Sequence, residues 1–323
     1  MRVFLTGANG FVGSAVARRL VAEGHDITCL LRETSDVSRI EMLPFARAAG
    51  DVRDVASLRD GMRACDGTIH LAAPGSWEQD DPALLRAVIE EGTRHVLEAA
   101  ADRRGHRVVL VSSTAAIAAS NNPVVFDERT PFSLPDRALH YAWAKHRAET
   151  IARDAFALGV PVVMVNPAEI YGPHDTALVS AGNLIDFATS TRVLVCRGGT
   201  CVVHVEDVAG GIIAALERGR PGERYILGGE NVTIRGLAEL VLELVGRRAL
   251  VVEVPNGVVR AATRLAVAVG LPLPYNAHVV PYATRYWFMD STKAQRELGV
   301  AFRGSRATIA DTIDWLRNTN RLG

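Results

Sequence analysis

The sequence predicts an α/β fold: a doubly wound parallel sheet followed by a smaller C-terminal α/β domain. Short β-branched runs alternate with helical patterns over the first two-thirds of the chain, as strands joined by crossover helices do. A glycine-rich turn stands between the first run and the first helical pattern. After Asn166 the alternation becomes irregular.

Strands are expected over 2–6, 26–31, 68–72, 107–112 and 161–166. A helix over 12–23 is stopped by Gly24. A second spans 82–103, with Asp81 as N-cap and Pro82 at the first helical position. A third, over 140–158, is stopped by Gly159 and Pro161. A loop-rich stretch is expected over 167–200, then a strand and helix over 202–217 and a short strand over 224–227. Further helices are expected over 234–245, 257–269, 292–298 and 309–317. The division this implies is a body of residues 1–172, to which 202–228 returns, and a smaller domain drawn mainly from 173–323.

Thirty-six basic residues balance thirty-six acidic ones among 323, and 48% of residues are hydrophobic. No net field draws such a chain to nucleic acid or an anionic membrane. Cys29, Cys65, Cys196 and Cys201 form no C-x-x-C pair, and no Cys/His cluster has metal spacing. No metal is therefore expected, and free buried thiols fit a reducing, cytoplasmic compartment. The first strand begins at Arg2 with no signal-peptide pattern before it. The apolar stretch 258–274 is broken by Arg260, Arg264, Gly270 and Pro272 and is too short and charged to span a bilayer.

Thr6-Gly7-Ala8-Asn9-Gly10-Phe11-Val12-Gly13 follows a strand and opens a helix. Glycines spaced G-x-x-G-x-x-G let the backbone turn sharply and approach a pyrophosphate, while the helix N-terminus offers N–H groups and a positive dipole end. The alternative is a tight βα turn that binds nothing. The second strand ends Leu31-Arg32-Glu33, where such folds read the adenosine ribose. An acidic side chain there favours NAD(H), and an arginine favours NADP(H). Arg32 is the side chain expected to face the ribose, so NADP(H) is favoured over NAD(H); otherwise both are solvated charges. Asp51, before Val52, either accepts from the adenine amino group or caps the next helix, for which Asp54 is the better candidate.

Tyr141 and Lys145 lie four residues apart in a helical pattern, hence on one face. An ammonium beside a phenol favours the phenolate, so the Tyr141 pKa is expected below its usual value of about 10. A tyrosine so tuned serves as general acid or base. Ser112-Ser113-Thr114 closes a buried strand at its C-terminal end, where doubly wound sheets bind ligands. A hydroxyl there can hold a substrate oxygen, or else cap a turn.

Together these pieces resemble the extended short-chain dehydrogenase/reductase family, the NAD-dependent epimerase/dehydratase group, over nearly the whole chain. His70–Ala73, Glu149, the run Asn166-Pro167-Ala168-Glu169-Ile170-Tyr171-Gly172-Pro173, 203–209 and 290–299 add to the likeness. The resemblance implies a Rossmann fold with Tyr141 as acid/base and Lys145 holding the nicotinamide ribose. Thr114 would be the substrate-orienting hydroxyl, with Ser113 as the fallback. Gly7, Asn9, Gly10, Phe11, Val12, Gly13, Val52, Leu71, Ala72, Ala73, Ser112, Pro167, Ala168 and Ile170 would contact the cofactor. The helices over 82–103 and 140–158 resemble those that form a four-helix homodimer interface in the family. Ile89 stands where many members carry an asparagine. Glu169 is also unusual, and reads as a partly exposed loop carboxylate or a group facing substrate.

The expected chemistry is hydride transfer between nicotinamide and a carbonyl or alcohol carbon of a small molecule, nearest the dihydroflavonol-reductase branch. The apolar segments 258–269, 271–274 and 279–282 would form a lid over an apolar substrate, or simply pack in a core. The alternative is a nucleotide-sugar epimerase holding NAD. Ala115-Ala116 replaces the Asp-Glu pair of dehydratases, and Gly199-Thr200-Cys201 offers no arginine for a diphosphate, leaving Arg197, Arg235 or Arg260 for that role. A dinucleotide-binding redox sensor without catalysis would be expected to lack the Tyr–Lys pair.

Overall fold

The computed structural model describes residues 1–75, 81–273 and 277–322. In chain order its elements are β1 Arg2–Thr6, α1 Phe11–Ala22, β2 Asp26–Leu31, β3 Ala46–Ala49, α2 Val55–Met62, β4 Gly67–His70, α3 Pro82–Leu85, α4 Gly92–Ala101 and β5 Arg107–Val111. Then come β6 Val125–Phe126, α5 His140–Ala157, β7 Val162–Pro167, β8 Glu169–Tyr171, α6 Ala181–Thr189, β9 Arg192–Cys196, β10 Gly199–His204, α7 Val205–Arg218 and β11 Arg224–Leu227. The chain closes with β12 Glu230–Thr233, α8 Ile234–Leu244, β13 Leu250–Val254, α9 Asn256–Ala268, α10 Val280–Ala283, β14 Phe288–Met289, α11 Thr292–Leu298 and α12 Ser305–Asn318.

Seven strands form one parallel sheet in the order β11-β7-β5-β4-β1-β2-β3. The central strands are apolar on alternate residues toward both faces, as a sheet covered by helices on each side requires. Leu5, Val109 and Val163 face α1 and α7, whereas Phe4, Val108 and Val162 face α2, α4 and α5. The strand order reverses between β1 and β4, which opens a crevice beyond their C-terminal ends.

Three departures from the sequence reading have physical reasons. β3 was not anticipated, because its Ala-Arg-Ala-Ala run is an exposed edge strand that lacks β-branched residues. The helix expected over 82–103 is interrupted by a π-helical turn at Arg86–Glu91 that buries Ile89, and such turns cluster at functional sites. The stretch 202–227 divides. β11 joins the main sheet and α7 covers it, but β10 pairs with β8 and β12 in a three-stranded sheet. That small sheet, the parallel pair β9 and β13, and α6, α8 and α12 share a separate core around Tyr171, Leu184, Leu237 and Ile313. Half of 167–200, expected as loop, is therefore ordered as β8, α6 and β9.

Two glycines hold the first turn. Gly7 has φ +71°, and a Cβ there would lie 2.9 Å from the Ala72 backbone nitrogen. A Cβ on Gly13 would stand 2.0 Å from the Gly7 carbonyl. Gly13→Ala is therefore expected to lower unfolding free energy by about 1–3 kcal/mol, the usual cost of overpacking, and to weaken dinucleotide binding. Urea unfolding and fluorescence titration check this; wild-type values in both would contradict it.

Candidate active site

The crevice between β1 and β4 is lined by main chain. The α1 N-cap, Gly10, has no side-chain cap, and the first turn carries no acidic residue, so its amides and dipole face the crevice unopposed. A Cβ at Gly10 would meet only the Gly7 carbonyl, at 3.3 Å. Phe11 and Val12 are half-buried at the helix start. The Asn9 side-chain amide donates to the Asp36 carbonyl at 2.9 Å, and Arg39 donates to the Asn9 carbonyl at 3.1 Å. Across the crevice the Leu71 amide donates to the Thr6 carbonyl and the Ala72 amide to the Thr6 hydroxyl, so the 71–73 segment is fixed to the glycine turn. This glycine-lined, uncapped turn fits a pyrophosphate.

Arg32 is exposed at the end of β2. Arg47, on neighbouring β3, donates to the Arg32 carbonyl at 3.0 Å, so its guanidinium stands at the end of β2. Arg47 escaped the sequence reading because β3 did. Asp51 is bound bidentately by Arg53, at 2.8 and 3.0 Å, and this pairing holds its carboxyl below the usual range. Asp54 caps α2, accepting from the Ala56 amide. Val52 is buried under α4, its carbonyl hydrogen-bonded to His95.

The C-terminal ends of β5 and β7 and the face of α5 meet at the other side. Lys145 is buried and donates to the Val111 carbonyl at 2.8 Å. Its Nζ lies 5.7 Å from the centroid of the Tyr141 ring. The Ser113 side chain stands beside the Tyr141 phenol and caps a short 3-10 turn at Thr114–Ala116 by accepting from the Ala115 amide. Thr114 is buried in that turn. Ser113, the sequence reading's fallback, is the hydroxyl beside the phenol, and Thr114 opens the turn. Ser112 is buried and donates to Glu149 Oε1 at 2.7 Å. Pro167 ends β7, the Ala168 amide donates to the Leu227 carbonyl, and Ile170 packs against the sheet core.

Burial governs the charges here. It pushes the Tyr141 phenol up to about 12, partly offset by Ser113. It pulls the Lys145 ammonium down to about 8, opposed by Glu149. The expectation that Lys145 lowers the phenol is not met in the protein alone, since the lysine engages Val111 and desolvation of the ring dominates. Burial and the Lys145 charge hold His70 down to about 3, where it bonds Thr6 Oγ1 at 2.7 Å and Thr93 Oγ1 at 3.3 Å.

Glu169 lies in a strand rather than a loop. It accepts from the Tyr171 hydroxyl at 2.8 Å, and burial raises its carboxyl, with Thr200 and Tyr171 opposing. The three arginines left open for a diphosphate are engaged. Arg197 pairs with Glu253 at 2.6 Å, Arg235 with Glu239 at 2.8 Å, and Arg260 donates to the Thr284 hydroxyl at 2.9 Å. Glu23, His25 and Glu217 bring ligand atoms within 4.8 Å of one another, but Arg19 and Arg218 pair with the two carboxylates.

Residues 3–228 match the model of the NAD dependent epimerase/dehydratase family. The chain belongs to this family, the extended short-chain dehydrogenases/reductases, whose members bind NAD(P) and act on small molecules as reductases, dehydratases or epimerases. It is 30% identical to a dihydroflavonol 4-reductase-like protein of Synechocystis over 98% of this chain and 94% of that one. It is 33% identical to 4-hydroxy-2-methyl-3-oxo-4-farnesyl-3,4-dihydroquinoline-1-oxide ketoreductase of Stigmatella aurantiaca over 100% of this chain and 98% of that one. The crystal structure of gox2253 superposes with a TM-score of 0.86 at 33% identity, covering 99% of each chain. Among the described residues no helix is long and apolar enough to cross a membrane.

His70 carries a pH prediction. Below about pH 6.5 the unfolded chain takes up a proton that the folded chain refuses until about pH 3, so stability falls as pH falls through that window, by up to about 1.4 kcal/mol per unit. His70→Asn should flatten this part of the stability curve in urea unfolding; an unchanged slope would contradict it.

Proposed function

We propose that this chain is an NADP(H)-dependent reductase, reversible as a dehydrogenase, that acts on a carbonyl or alcohol carbon of a lipophilic small molecule with Tyr141 as general acid/base. The observation that carries this reading is the Ser113–Tyr141–Lys145 constellation across the crevice from the glycine turn. In this assignment Ser113 orients the substrate carbonyl. Tyr141 gives its proton to the carbonyl oxygen, and Lys145 supplies positive charge that lowers the cost of the departing proton. Lys145 also holds the nicotinamide ribose, and the bound nicotinamide supplies the hydride.

Gly7, Asn9, Gly10, Phe11, Val12, Gly13, Val52 and 71–73 are assigned to the dinucleotide, with Ser112, Pro167, Ala168 and Ile170 near its nicotinamide end. Asp51 is assigned to the adenine edge, where its pairing with Arg53 limits it to a secondary contact. The exposed Arg32 and Arg47 favour the 2′-phosphate of NADP(H). The engaged state of Arg197, Arg235 and Arg260 speaks against the nucleotide-sugar epimerase. We assign residues 1–172 with α7 and β11 to dinucleotide binding and the rest of 173–323 to substrate binding.

The lipophilic substrate class rests on α9. Its Val258 and Leu265 are 57% and 65% exposed, and Val269 and Leu271 beyond it are as open, which suits a lid more than a core. Pro274, the end of that segment, lies outside the described residues. The farnesylated quinoline handled by the Stigmatella relative is of this class. We further assign a homodimer through the α3–α4 run and α5, and a cytoplasmic location.

Tyr141→Phe is expected to lower turnover at least about a hundredfold with NADPH affinity nearly unchanged; full activity in the variant would overturn the acid/base assignment. Fluorescence titration should show exchangeable NADPH binding far tighter than NADH, with most of the preference lost in Arg32→Ala. Retained NAD that resists dialysis would instead support the epimerase. Light scattering should report two chains per particle, and a clean monomer would count against the dimer.

A further inference from the structure

Helix α5 carries Tyr141, Lys145, Glu149 and Arg153 at four-residue intervals, hence in one line. The proposed chemistry uses the first two. Glu149 is fully buried, and among the described residues no hydrogen bond or ion pair joins it to either. Its Oε1 accepts from Ser112 Oγ at 2.7 Å and from Asn166 Nδ2 at 2.5 Å. Its Oε2 faces Arg224 at 3.3 Å and Arg153 at 3.4 Å. Asn166 Nδ2 also donates to the Ser113 carbonyl at 2.8 Å, and Arg224 donates to the Glu128 and Thr130 carbonyls at 2.7 and 2.6 Å.

These contacts have a direction. Ser112 and Ser113 directly follow β5, and Asn166 lies near the end of β7, so one carboxylate grips the two strand exits that floor the site. Ser113 in turn stands beside Tyr141. A carboxylate has about four acceptor positions, and donors stand at all of them.

We infer that Glu149 is a positioning residue of the active site, holding Ser112, Ser113 and Asn166 in register with Tyr141 and placing a fixed negative charge one helical turn from Lys145. The inference rests on the catalytic reading of Tyr141 and Lys145. The charged or titratable groups around Lys145 are Tyr141 and Glu149 on its own helix and His70 from β4. Those around Glu149 are Arg153 and His146 on its helix and Arg224 from β11. Burial favours neutral Lys145, and Glu149 opposes it. Loss of that charge lets the ammonium lose its proton at lower pH.

The chain offers a direct readout, because Lys145 and Lys293 are its only lysines. Lys293 pairs with Glu223 at 2.6 Å. Protein labelled with ε-13C lysine gives two resonances, assigned with Lys293→Arg. In Glu149→Gln the Lys145 titration should move down by about one pH unit, a tenfold change in its proton affinity. Glu149→Asp, which keeps the charge but withdraws it by one methylene, should leave that titration nearly in place. With whichever carbonyl compound supports NADPH oxidation, it should lower kcat at least about tenfold with KM for NADPH held within about twofold. An unmoved Lys145 titration in Glu149→Gln, or wild-type kcat in Glu149→Asp, would overturn the inference. Should Glu149→Gln fail to fold, Glu149→Asp and Ser112→Ala decide it. Ser112→Ala removes one bond into the carboxylate and should lower kcat several-fold without moving the Lys145 titration; unchanged kcat in both variants overturns the inference. The titration needs no turnover, so its outcome is separate from that of Tyr141→Phe, whose full activity would sink the catalytic reading instead.

Discussion

A lysine ammonium buried at the C-terminal edge of a parallel sheet is the constraint around which this molecule is arranged. Away from water the charge needs a close acceptor and a nearby anion, or the group sheds its proton. The carbonyl of Val111, the last residue of β5, supplies the first. Glu149 supplies the second from one turn along the same helix. With β5 and α5 locked to each other at this point, the Tyr141 ring has one place to lie, over the strand exit and against Ser113.

The opposite side of the crevice uses main chain where this side uses side chains. The turn after β1 comes within contact of the segment after β4 because Gly7 carries no Cβ, and α1 closes on that turn because Gly13 carries none. Thr6, His70 and Thr93 bond across β1, β4 and α4 beneath it. His70 stays neutral there, so it adds no second positive charge beside Lys145. One face of the sheet thus presents dipoles and amides for an anionic ligand, and the other presents a phenol, a hydroxyl and an ammonium for a polarised carbon–oxygen bond.

Most of the sheet was legible in the sequence because its central strands are buried on both faces and read as apolar runs. Helix α5 was legible because its stop is chemical: Gly159 adopts φ +98°. β3 was not, since an exposed Ala-rich edge resembles a loop. β8, β9 and α6 were not, since each is short and takes its order from a core assembled with α8 and α12, far along the chain. Within the site, the four-residue spacing revealed that Tyr141 and Lys145 share a face. It did not reveal that the lysine would turn to a carbonyl, that Ser113 rather than Thr114 would reach the phenol, or that Arg47 would stand beside Arg32. Those depend on how a turn starts and on a strand pairing, neither of which leaves a local periodic trace.

In the proposed mechanism Tyr141 becomes an acid of useful strength only when Lys145 acts on it within the loaded site. In the protein alone, burial leaves the phenol near 12. The direct measurement is a 13Cζ-tyrosine NMR titration of Tyr141, assigned with Tyr141→Phe among the six tyrosines, with and without saturating NADP+. NADP+ should bring the Tyr141 titration down by about two units or more. A phenol that still titrates near 12 with NADP+ bound would contradict it.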